Sequence, residues 1–156
     1  EIMGIPDFGM PPVDPFEAHL EYVEKFKKAV LLVAGAAVQK LMQSLAKEQE
    51  VLMRIADMMI WTYTAESLVL RVQKLAGQRG EDAVGHEMAM MKVYCYEVAE
   101  RMHSAGKEAL LAFAEGDELK GMLMGLKRFT KTEPFNTTAA RQTIAQKLIQ
   151  ENEYCW

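Results

Sequence analysis

The sequence predicts an all-α fold, an antiparallel helical bundle of four main helices plus a C-terminal helix. Three observations carry this. Apolar residues recur at three- and four-residue steps over long stretches, the spacing that puts them on one helical face. No segment shows the strict alternation of a half-buried strand. Four of the five prolines fall within the first fifteen residues, so only Pro134 interrupts the rest of the chain.

Residues 1–15, with Pro6, Pro11, Pro12 and Pro15 and the breaks Gly4 and Gly9, read as a Pro-rich linker, and residues 16–156 as one helical domain. Asp14-Pro15 marks the first helix start, since Asp14 can cap free amides and proline fits the first turn. Phe16, Leu20, Val23, Val30, Ala34, Ala37, Leu41 and Leu45 form that helix's stripe. Gly35, set among alanines, predicts a close approach by a neighbouring helix. One helix from Pro15 to Gly77 would be roughly 90 Å long at 1.5 Å per residue, too long for a compact domain. A turn is therefore expected in the polar stretch 44–50.

The second helix, about residues 48–75, carries Leu52, Ile55, Met59, Thr62, Ala65, Val69 and Val72. Val51, Met53, Met58, Ile60 and Trp61 widen this stripe, and apolar residues nearly all round predict a central, substantially buried helix. Gly77-Gln78-Arg79-Gly80 ends it. A third helix is expected from Asp82, with Met88, Met91, Cys95, Val98, Met102, Ala105, Ala109 and Ala112 inward and Gly116 as terminator. A shorter helix over 117–129 offers Leu119, Met122, Leu126 and Phe129. After Pro134, Asn136 is placed to cap a last helix to about residue 150, with Ile144 and Leu148 facing inward.

A chain of 156 residues with about 50% apolar and 26% charged residues suits one globular domain. It begins at Glu1, with its first methionine at Met3, which favours an excised fragment over a natural start. The net charge of −4 and dispersed lysines argue against nucleic acid as partner. The densest basic spots, Lys25-Phe26-Lys27-Lys28 and Lys127-Arg128, read as solvated helix faces. The uncharged apolar run 29–38 is too short to span a bilayer. Two cysteines, Cys95 and Cys155, are too few for a disulfide scaffold and fit a reducing, cytoplasmic setting.

Chemistry-bearing motifs are sparse, and no catalytic, cofactor-binding or metal residue is assigned. Glu100-x-x-His103 has the spacing with which di-iron bundles grip a metal pair, but such a site needs a second copy and two further glutamates. The chain contains no second copy, so a ferritin-like metal protein is the weaker alternative, as is a free-standing helical interaction module. His86-Glu87 reads as an exposed local hydrogen-bonding pair and His19 as solvated. Arg54 and Asp57, three apart on the second helix, are expected to pair with each other or across helices, with Tyr63 or Glu66 joining. Cys95 reads as core. No phosphate-binding glycine loop, dinucleotide fingerprint or nucleophile elbow is present.

Two stretches carry a resemblance. RIADMMIWTY, residues 54–63, resembles the Arg-Leu-Ala-Asp-x-x-Ile-x-x-Tyr segment in the extra C-terminal domain of very-long-chain acyl-CoA dehydrogenases. HEMAMMKVYCYEVAERM, residues 86–102, is similar to that domain's HE…WCIEAAARI stretch: His86, Glu87, Cys95, Glu97, Ala99 and Arg101 match, and Tyr94 stands where the family carries tryptophan. The resemblance covers about residues 28–112 and has the flavour of a bacterial relative, while the tail after Pro134 departs from it.

It implies a non-catalytic structural domain of a flavoenzyme. The parent would hold FAD, dehydrogenate fatty acyl-CoA across Cα–Cβ in β-oxidation with a glutamate base, and pass electrons to an electron-transferring flavoprotein. Those functions belong to an upstream catalytic part that this chain lacks. The resemblance further implies a homodimeric parent. Membrane association, attributed in the family to the start of the domain, would fall on residues 1–16, which show no basic amphipathic helix.

Overall fold

The computed structural model describes residues 14–153. The expected linker, apart from its last two residues, and Cys155 lie outside them. Five α-helices succeed one another: α1 (Pro15–Leu41), α2 (Gln49–Arg79), α3 (Gly85–Leu111), α4 (Gly116–Phe129) and α5 (Thr137–Glu151). No strand occurs among the described residues.

The helix starts are set locally. The Asp14 carboxylate accepts from Phe16 N at 2.8 Å, and Asn136 Oδ1 from Ala139 N at 3.0 Å, each satisfying an amide that the helix cannot. The break expected near residue 44 is a 3₁₀ segment, Met42–Lys47, entered through Met42 at φ 46° and tied by Ser44 Oγ donating to Leu41 O. Gly80, at φ 88°, ends α2 in a conformation that side-chain-bearing residues rarely adopt. A second 3₁₀ turn, Glu81–Val84, then delivers α3, which starts three residues later than expected.

Two expectations about glycines are overturned. Gly116 does not terminate α3, which stops at Leu111; it opens α4 at φ 64°. Gly35 is exposed, and a Cβ built there meets nothing within 4 Å. The close approaches lie elsewhere. A Cβ on Gly106 of α3 would sit 2.8 Å from one Leu126 methyl, 3.0 Å from the other and 3.4 Å from Met58 Cε. One on Gly125 of α4 would sit 3.2 Å from Leu32 Cδ2. These two glycines let α4 lie close against α3 and α1.

The central helix is α3, which touches each of the other four. Met91, Cys95, Val98, Met102, Ala105 and Ala109, taken from its expected stripe, are all buried. Helix α1 buries Phe26, Ala29, Val33 and Ala36 as well as the expected Phe16, Val23 and Ala37. Helix α2 corrects the expectation of a central, substantially buried helix: only one of its faces is buried. Its inner face is Val51, Ile55, Met58, Thr62, Ala65, Val69 and Val72, whereas Leu52, Met53, Met59, Ile60 and Tyr63 are exposed. Burial inferred from composition alone fails here because apolar residues occupy two opposite faces.

Helix α5 rests on α3 alone and buries no residue; Ile144 is half-buried and Leu148 is exposed, not inward. Its main polar tie is Arg141 to Glu97, which also holds Arg101 at 3.0 Å. Exposed ion pairs are worth about 0.2–1 kcal/mol. Replacing Glu97 with alanine should therefore raise amide exchange in α5 about two- to fivefold while leaving the protection of α1–α3 unchanged. Hydrogen exchange read by mass spectrometry checks this, and equal protection of α5 in both proteins would show that the ion pair does not hold it.

Helix α1 with its extension, Phe16–Lys47, is long and apolar enough to cross a membrane by length and composition, more than the short run 29–38 suggested. Its inner face, including Val23, Phe26, Val33 and Ala37, is packed into the bundle core.

Candidate functional site

The polar side of the bundle holds three adjoining clefts. The first, about 190 Å³, lies between the start of α1, the middle of α3 and the segment before α5, and His19, Tyr22, Lys92, Cys95, Tyr96 and Phe135 are among its lining. The second, about 300 Å³, adds Glu100, His103, Lys127 and Lys131; the third, about 340 Å³, adds Glu97, Arg101 and Arg141. Tyr96 borders all three. Sequence reasoning missed this side because the segment after Phe129 lacks regular structure and so leaves no periodic signal. Tyr22 Oη accepts from Glu133 N at 3.3 Å, which fixes that segment against α1.

Among the candidate residues, His103 Nδ1 lies 3.1 Å from Thr130 Oγ1, whose own hydroxyl donates to Leu126 O at 2.9 Å. With that proton committed, Nδ1 carries a hydrogen and donates to Thr130, so His103 joins α3 to the end of α4. Glu100 is exposed, and no three His, Cys, Asp or Glu side chains converge as a metal-ligand set among the described residues. His19 is half-buried, not solvated, with its ring edge-on to Tyr22 at 5.6 Å.

Glu87 is likewise not exposed. It is 7% accessible, lies 3.5 Å from Arg79 across the α2–α3 turn, and keeps Oε2 buried without a hydrogen-bond partner. Arg54 pairs across helices, with Glu108 on α3 at 2.7 Å, rather than with Asp57. Glu66 instead meets Lys27 of α1 at 2.8 Å. The hydrogen bonds that Lys27 donates to the Glu24 and Glu66 carboxylates raise its pKa. Polar residues on α2 thus register the helices against one another.

Burial pushes the Cys95 thiol up to about 12, against an ordinary 9.0, so at neutral pH it is neither nucleophile nor thiolate ligand. A raised folded-state pKa means that the group's contribution to stability is complete below pH 9 and is lost as pH climbs towards 12. The slope should reach about 1.4 kcal/mol per pH unit. Denaturant midpoints at pH 8 and pH 10.5 should differ more for the native sequence than for Cys95→Ala. Identical pH dependence in the two would contradict the burial of this thiol.

Residues 25–128 match the family described as "Acyl-CoA dehydrogenase, C-terminal domain". A probable acyl-CoA dehydrogenase of Bacillus subtilis is 30% identical over 147 residues, which cover 92% of this chain and 25% of that protein. The crystal structure of an acyl-CoA dehydrogenase complexed with FAD from Bacillus anthracis superposes with a TM-score of 0.89 at 33% identity, over 93% of this chain and 25% of the other. The chain thus spans about a quarter of the length of the relatives it matches. Both stretches quoted for the resemblance, 54–63 and 86–102, lie inside the matched region, on the two helices that build most of the core. The chain belongs to the acyl-CoA dehydrogenase C-terminal domain family.

Proposed function

We propose that the chain is the non-catalytic assembly domain of an FAD-dependent acyl-CoA dehydrogenase of the very-long-chain type, acting in fatty-acid β-oxidation. The observation that carries this is the pairing of two coverages. Almost the whole chain superposes on an FAD-bound dehydrogenase, yet it accounts for only a quarter of that protein.

The described residues do not by themselves fit FAD. They offer no glycine-rich turn to cradle a pyrophosphate, and the three clefts on the polar side, about 190, 300 and 340 Å³, lie below or near the small end of the roughly 300–1,000 Å³ typical of ligand pockets. The remaining polypeptide would hold the flavin, which when bound would supply the hydride acceptor for acyl-CoA dehydrogenation, and an electron-transferring flavoprotein would be the parent's electron partner. The parent is read as a cytoplasmic homodimer. In this reading the helical domain contributes buried contacts that keep the parent in one assembly state.

The test is to purify both this chain and the full reading frame that contains it. The chain alone should be colourless and inert towards acyl-CoA, and the longer product should carry one FAD per polypeptide and oxidise acyl-CoA. Stoichiometric flavin in the chain alone, or a longer product without flavin, would overturn the proposal.

A further inference from the structure

Among the described residues no helix packs on the outer face of the α1–α2 pair, which carries a set of exposed apolar side chains. Lys27 and Glu66 meet across these helices. Leu31 and Val38 lie four and eleven residues after Lys27, and Met59 lies seven before Glu66, so all three sit on the flanks that this ion pair marks. Leu31 is 71% exposed, Val38 57% and Met59 57%. Met53, Ile60 and Tyr63 extend the patch around α2, at 63%, 59% and 73%. Between Leu31 and Val38, Gly35 leaves an open notch where a second surface can approach α1 closely. Monomeric soluble proteins rarely expose contiguous apolar areas of this kind unless they are interaction sites.

The opposite side of the bundle is different in character. There α5 covers α3, and the clefts are bordered by Lys92, Glu97, Glu100, Arg101, Lys131 and Arg141.

We infer that the outer α1–α2 face is the surface on which the dehydrogenase body of the same polypeptide seats, which leaves the α3–α5 side to solvent. This rests on the function proposed above. The occupant is set by length and tether. Three quarters of each matched relative lies outside the part that this chain covers. Thirteen residues precede Asp14, and at roughly 3.4 Å per residue they reach at most about 45 Å. Leu31 is only about 25 Å along α1 from Asp14, so a body joined through the segment before Asp14 can lie along this face.

Methionine footprinting tests the seat. Peroxide transfers one oxygen to an accessible thioether and leaves as water. Met53 and Met59 mark the face, and Met124 of α4, 74% exposed, is the internal control. In the chain alone all three should oxidise at similar rates. In the longer, flavin-loaded polypeptide Met53 and Met59 should slow at least tenfold relative to Met124, and Ile60→Asp should restore their rates without loss of flavin.

Equal rates in both proteins would overturn the inference. So would protection in the chain alone that grows with its concentration, which marks a second copy, or protection that needs phosphatidylglycerol vesicles, which marks a lipid surface. A longer polypeptide without flavin would defeat the underlying functional reading, whatever the methionines report.

Discussion

Leu126→Ala should cost about 2–5 kcal/mol of unfolding free energy, the range for emptying a fully buried leucine site. Leu126 is the one buried residue of α4 and has no accessible surface. Its two methyls fill the notch at Gly106, and Met58 of α2 closes the other side. Truncation therefore opens a void where α2, α3 and α4 meet, and α4 loses its only fully buried anchor.

The coupling with Gly106 gives this expectation a sharper form. In the native background a Cβ at Gly106 collides with the Leu126 methyls, so Gly106→Ala should destabilise although alanine favours helix by about 1 kcal/mol. In the Leu126→Ala background the collision is gone, and the same substitution should stabilise by about 1 kcal/mol. Denaturant unfolding of the four proteins measures the cycle. Additive effects would mean that these two side chains do not meet.

Phe26→Ala should have the larger single effect, about 3–5 kcal/mol. Phe26 is fully inaccessible and belongs to the core cluster. A domain of this size holds about 5–15 kcal/mol in total, so the variant should melt on the order of 10 °C lower. The residue next to it provides the contrast. Lys27→Ala removes two carboxylate contacts from a side chain that is 37% exposed, and screened pairs of that kind contribute about 0.2–1 kcal/mol each. If calorimetry showed equal losses for the two variants, charge rather than burial would be holding α1 in place.

Much of this fold was legible in the sequence because its elements begin and end on local chemistry. Asp14, Asn136 and Gly80 each do at a helix end what the residue type implies. The inner stripe of α3 was legible for a different reason: it packs against helices on several sides, so its three–four spacing reports burial directly.

Helix α2 misled because composition does not say which of two apolar faces is inner. Val51 and Met58 turned inward, while Leu52 and Met59, one position later in each case, stayed out. Gly35 and Gly106 could not be ranked from sequence, since both lie in long helical runs and only the path of α4 makes one of them a contact point. The polar clefts were illegible because His19, Tyr96 and Glu133 come from three separate segments that tertiary packing alone unites.

The seating of α4 also has a consequence in time. Helices α1, α2 and α3 are joined by short turns and pack as neighbours in the chain, an arrangement of low contact order that collapses early. The contact of α4 with α1, Leu32 against Gly125, joins positions far apart in the chain and carries the greater loop-closure cost. Helix α4 should therefore dock after the rate-limiting barrier. Leu126→Ala would then leave the refolding rate nearly unchanged and accelerate unfolding, whereas Phe26→Ala would slow refolding. The two arms of a chevron plot separate these cases, and the lifetime of the native bundle is set by how long α4 holds its seat.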